Sequence, residues 1–184
     1  MRTPVLAGLI GAMLLPAVSV DAAATKKPVH RVVPAKPAAA VPPLSPADAF
    51  LAKNAKLRGV VTTPSGLQYR VLTPGAGAAK PTDADVTLVN YVGKLIDGTT
   101  FDQSKQPTPM PVSGVVPGFS EALKLMPKGA KYRVWIKPSL GYGDQATGPI
   151  PAGSVLAFDI ELLDFVSTAQ FEQMQQQAAT PAAQ

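Results

Sequence analysis

Two side chains on which bond-breaking and metal-dependent enzymes often rely, cysteine and histidine, are all but missing from this chain. It has no cysteine, so thiolate chemistry, disulfides and Cys-ligated metal are excluded. Its one histidine, His30, lies in a Pro/Ala tract, which rules out a His-dependent triad and a His-rich metal site. No cofactor and no metal are expected. What remains is a set of aromatic and acidic residues in a strand-rich stretch: Tyr91, the pair Phe101-Asp102, Tyr142 between Gly141 and Gly143, and Phe158. Each has an ordinary reading. Aromatic residues that face inward are usually core, and an Asp just after a turn is usually a turn former. Tyr142 fits a surface loop, although flanking glycines let a backbone approach a ligand closely.

The elements that must hold these residues begin past Arg58-Gly59. In 154–164, Leu156, Phe158, Ile160 and Leu162 alternate with Ala157, Asp159, Glu161 and Leu163, the pattern of a strand with one core face. Residues 131–137 alternate likewise, with Tyr132, Val134 and Ile136 inward. Trp135, outward between Arg133 and Lys137, is expected as a surface contact or cation–π partner. Strands are also expected over 67–72 and 86–96, the latter closed by an Asp97-Gly98 turn that leads to Phe101. One helix is expected at about 118–125. Four or five antiparallel strands with one short helix point to an α+β domain, a curved antiparallel half-barrel sheet wrapped over that helix.

The flanks read differently. Residues 1–24 have Arg2, an apolar run over 5–20 and Ala22-Ala23-Ala24, the pattern of an export signal, so the expected address is the periplasm. The alternative, an envelope protein held by an uncleaved N-terminus, is weakened by Gly8, Gly11, Pro16 and Asp21; no stable membrane insertion is expected after cleavage. Residues 25–44 form a Pro/Ala-rich linker. Ser45-Pro46-Ala47-Asp48 starts a short helix over 45–57. The working domain is 58–166, and 167–184 is a Gln/Ala-rich mobile tail whose start, with Phe171 and Met174, could be helical. The net charge of +5 is scattered, so nucleic acid is not an expected partner.

Three strings carry a family resemblance: Asn90-Tyr91-Val92-Gly93-Lys94-Leu95-Ile96-Asp97-Gly98-Thr99-Thr100-Phe101-Asp102-Gln103-Ser104; Gly114-Val115-Val116-Pro117-Gly118-Phe119-Ser120-Glu121-Ala122-Leu123; and Gly141-Tyr142-Gly143 followed by Ile150-Pro151 and Leu156-Ala157-Phe158-Asp159. Together they resemble the FKBP-type peptidyl-prolyl isomerases, and Ala49-Phe50-Leu51 with Val61 to Tyr69 resembles the exported, macrophage-infectivity-potentiator-like branch. The resemblance implies a catalytic set of Tyr91, Phe101, Asp102, Tyr142 and Phe158 and a substrate-binding set of Met110, Val115, Val116, Phe119 and Ile150. It also implies that Phe119 is the pocket floor, that Asp102 is a rim carboxylate, and that the Val116 N–H and Tyr142 hydroxyl receive substrate carbonyls. Its expected partners are X-Pro-containing polypeptides. The family often has Trp at the position of Phe119 and Phe at that of Met110, which implies altered substrate preference and weakened binding of macrolide inhibitors. The branch often carries a longer helical dimerisation arm, absent from this sequence, so a monomer is expected over a dimer. The rival reading is a chaperone or holding module with weak isomerase activity.

Overall fold

The computed structural model describes residues 44–179. The expected export signal over 1–24, nearly all of the 25–44 linker with His30, and the chain end at 180–184 lie outside the described residues.

The fold is built around its last strand, β7 (Leu156–Ser167), in which Leu156, Phe158, Ile160 and Leu162 are buried and the residues between them are half-buried. It pairs antiparallel with β3 (Asp85–Leu95) on one side and β6 (Lys131–Ile136) on the other. Beyond β6 come β2 (Gln68–Thr73) and β1 (Val60–Thr62); beyond β3 come β4 (Thr100–Gln103) and β5 (Thr108–Pro111). The sheet thus has seven strands rather than four or five. The extra ones, β1, β4 and β5, are three or four residues long, too short to show a period of two. β5 also carries Pro109 and Pro111, which are tolerated because it is an edge strand.

Helix α2 (Pro117–Leu125) packs on the concave face, burying Phe119, Ala122 and Leu123 in a cluster with Val134, Ile136, Ile160 and Leu162. Gly118 makes the approach possible, since a Cβ there would stand 2.5 Å from Ile136 Cγ2. Ser65 Oγ donates to Glu121 Oε2 at 2.6 Å, tying the helix to the β1–β2 turn.

Helix α1 (Pro46–Asn54) lies on the outer face. Ser45 caps it by accepting from the Asp48 N–H at 3.1 Å. It is shorter than the 45–57 expected, because the chain turns away after Ala55 to reach Gly59 at φ +80°. Its Ala47 and Leu51 pack against Trp135 and Val155, and this corrects the reading of Trp135 as a surface or cation–π residue. The indole does lie on the outward face, but α1 covers it and leaves it only 7% exposed. Arg133 instead makes a bidentate pair with Asp159 at 2.6 and 2.7 Å. Two buried hydrogen bonds fasten α1 to β2, from Gln68 Nε2 to the Leu51 carbonyl at 2.9 Å and from Asn54 Nδ2 to Gln68 Oε1 at 2.8 Å. The segment expected as a mobile tail begins with a twelve-residue helix, α3 (Thr168–Ala179), directly after β7. Among the described residues no helix is long and apolar enough to cross a membrane.

Candidate active site

The concave face and α2 enclose a cavity of about 370 Å³. Tyr91 from β3 and Phe158 from β7 stand on adjacent strands, with Gly93 directly opposite Phe158 in the register. Phe119 rises from α2 between them. Its ring meets Phe158 edge-to-face at 5.1 Å and 87°, and Tyr91 at 6.0 Å and 84°. Phe119 is 4% exposed and forms the base of the cavity. Edge-to-face contacts set the positive rim of one ring against the negative face of the next, so they favour this herringbone beyond the area it buries.

Of the ten expected residues, eight line the cavity: Tyr91, Asp102, Met110, Val115, Val116, Phe119, Tyr142 and Phe158. Phe101 and Ile150 stand behind the lining. Phe101 packs edge-to-face on Phe158 at 5.4 Å and 89°, and Ile150 is buried in the core. Two glycines were not singled out as site residues. Gly114 lines the wall, and Gly93 has no side chain because a Cβ there would meet Phe101 Cζ and Phe158 Cε1, each at 2.7 Å. The signal for Gly93 was its place inside a strand, where glycine weakens the element unless something packs against its backbone.

The polar groups sit at the rim. Tyr91 Oη donates to Asp102 Oδ2 at 2.7 Å, while Asp102 Oδ1 accepts from the Gln103 N–H at 2.8 Å. Burial, then the hydrogen bond to Asp102 and its charge, push the Tyr91 phenol up to about 12, so at neutral pH it is a fixed donor. Ser104 holds the same strand in place, its Oγ accepting from the Tyr91 N–H at 2.9 Å and its own N–H donating to the Tyr91 carbonyl at 3.0 Å. Tyr142 stands at the mouth, 39% exposed. Val116 is the N-cap of α2: its carbonyl accepts from the N–H groups of Phe119 and Ser120, and Pro117 follows at the first helical position. No side chain caps this end; Val116 lines the cavity, and as the N-cap its N–H has no intrahelical acceptor.

This arrangement offers an apolar slot walled by aromatic rings, with neutral hydroxyl donors at its edge. Asp102 is engaged in orienting Tyr91. Among the described residues no group of three His, Cys, Asp or Glu side chains gathers closely enough to hold a metal ion.

Comparison with known proteins bears on the family and the fold. Residues 77–163 match the family described as FKBP-type peptidyl-prolyl cis-trans isomerase, and residues 19–71 match the domain amino terminal to it. The chain is 47% identical over 117 residues to the FKBP-type peptidyl-prolyl cis-trans isomerase FkpA of Aeromonas hydrophila, covering 62% of this chain and 43% of that one. It is 43% identical over 126 residues to the outer membrane protein MIP of Legionella longbeachae, covering 66% and 54%. The chain spans about half the length of these curated relatives. A crystal structure of a peptidyl-prolyl cis-trans isomerase from Pseudomonas syringae superposes with a TM-score of 0.63 at 37% identity, covering 66% of this chain and 91% of that one.

Proposed function

Because the chain belongs to the FKBP-type peptidyl-prolyl cis-trans isomerase family, we propose that it accelerates rotation about X-Pro bonds in unfolded or exported polypeptides. The reaction breaks no bond. Its barrier of about 18–20 kcal/mol is the resonance lost as the amide twists, and unaided rotation takes tens to hundreds of seconds. The twisted amide has a less polarised carbonyl than the planar one. A slot walled by Tyr91, Phe119 and Phe158 strips water from the planar form and so narrows the gap to the twisted one. The Val116 N–H and the Tyr142 hydroxyl receive carbonyls of a chain bent around its proline, so that binding energy is realised most fully near the transition state. Lowering the barrier by about 5 kcal/mol gives nearly four decades of rate.

The observation that carries this reading is the edge-to-face cluster of Tyr91, Phe119 and Phe158 beneath an open cavity. The expected site is envelope-side, since residues 1–24 have the pattern of an export signal and one relative is named an outer membrane protein. A holding module with weak turnover is the second reading, favoured by Met110, a flexible side chain on one wall. Isomerisation of X-Pro tetrapeptides by the purified protein and its Tyr142→Phe variant separates the two. Acceleration that drops in the variant supports the enzyme; no acceleration, with aggregation of an unfolded protein still suppressed, supports the holding module.

A further inference from the structure

A second apolar cleft, of about 220 Å³, lies where α3 leaves the end of β7; Leu88, Pro109, Val166, Phe171 and Met174 are among its walls. Met174 is 49% exposed at its lip. The cleft shares three strands, β3, β5 and β7, with the candidate active site, and in β5 the two linings are adjacent residues. In β5, Met110 lines the catalytic cavity and Pro109, the residue before it, lines the cleft. Successive side chains of a strand point to opposite faces, so β5 is the ridge between the two. That ridge cannot capture a partner as an added strand. Alternate residues of a strand point their N–H groups the same way, and Pro109 and Pro111 have none to give. The bonds of β5 to β3 therefore come from Thr108 and Met110, and its open edge offers no donor.

We propose that the cleft beside α3 is a second contact for the same polypeptide whose X-Pro bond occupies the catalytic cavity. The segment flanking the proline crosses β5 and seats an aliphatic or aromatic side chain against Phe171 and Met174. Both sides of the ridge carry a methionine, Met110 in the cavity and Met174 in the cleft. Methionine is unbranched and polarisable and adapts to side chains of varied shape, which suits clients without a shared sequence. The inference rests on the isomerase reading only for the identity of the first contact. Its consequence is that long apolar clients gain affinity that tetrapeptides do not.

The test compares two synthetic peptides with one Leu-Pro bond. One carries a Val-Leu-Val flank about six residues away, a reach of roughly 20 Å; in the other this flank is Ser-Ser-Ser. In the wild-type protein the apolar flank is expected to lower KM about fivefold or more, as a tethered second contact does. In Met174→Lys that advantage disappears, while tetrapeptide kcat/KM stays within about twofold of wild type, as suits a half-exposed side chain outside the cavity. Equal KM values for the two peptides in the wild type would overturn the proposal and leave the isomerase reading intact. If no peptide is turned over, the isomerase reading fails, and the cleft is judged by binding alone: the Met174 methyl resonance must shift with the Val-Leu-Val peptide and not with the Ser-Ser-Ser one. A concentration-dependent dimer abolished by Met174→Lys would show that a second copy fills the cleft, and would also overturn the proposal.

Discussion

Gly93 governs how closely the aromatic rings of the cavity stand, because Phe101 and Phe158 both come within 2.7 Å of where its Cβ would be. Gly93→Ala must push one ring aside, at a cost of about 1–3 kcal/mol, and should lower kcat/KM for tetrapeptides more than it lowers Tm alone would explain. Asp102→Ala releases the Tyr91 hydroxyl from its 2.7 Å acceptor; losing about 1.5 kcal/mol of a charge-assisted bond corresponds to a drop of about tenfold in kcat/KM. The phenol also sets a pH window. Its ionisation is raised from 10.0 to about 12 in the folded protein, so the stability it contributes is whole below pH 10 and is lost as pH rises through 12. Rate and stability should therefore be indifferent to this group between pH 6 and 9, and Tyr91→Phe should weaken the alkaline fall in Tm between pH 10 and 12. Alternation alone placed Tyr91 and Phe158 inward. It could not say that Phe101 stands behind Phe158 rather than beside it, because that order is set by the missing Cβ of a residue eight positions earlier in the chain.

Among the elements, α1 shows where pattern reading stops. A period of two in β6 turned Trp135 to the outer face, and it lies there; no property of β6 announces that a helix eighty residues upstream covers it. The short helix itself was readable from Ser45, Pro46 and Asp48, whereas β1, β4 and β5 were too short to read. The attachment of α1 rests on Gln68, which serves both Asn54 and the Leu51 carbonyl from a buried position. Gln68→Ala leaves Asn54 without its acceptor and should cost about 1–3 kcal/mol. Trp135 is the only tryptophan, so its emission reports on this contact. In Gln68→Ala it should shift to longer wavelength at denaturant concentrations where far-ultraviolet circular dichroism is still native. If the two signals change together, α1 is not a separable unit.

At the scale of the molecule, two surface carboxylates contribute to its behaviour in acid. Backbone and side-chain hydrogen bonds from Thr99 hold Asp97 below its ordinary value of 3.8. Lys128 and the Phe165 N–H do the same for Asp164. Stability from groups lowered in this way is complete above pH 3.8 and is lost as pH falls through their lower, folded values. The melting temperature should hold down to about pH 4 and then drop, and Asp164→Asn should make the drop shallower, most visibly at low salt since the pair with Lys128 is exposed. The curved single sheet over one helix was legible from strand alternation and from the length of α2. The order of the strands was not, because pairing between distant segments leaves no trace in either one. That order has a consequence in time. β7 is the strand on which β3 and β6 both pair, and among the described strands it is the last to be synthesised. A nascent chain that stops short of residue 156 leaves β3 and β6 with the edges that β7 would cover still open, and the core side chains of both without Leu156, Phe158, Ile160 and Leu162 to pack on, so the sheet closes in one late step rather than strand by strand.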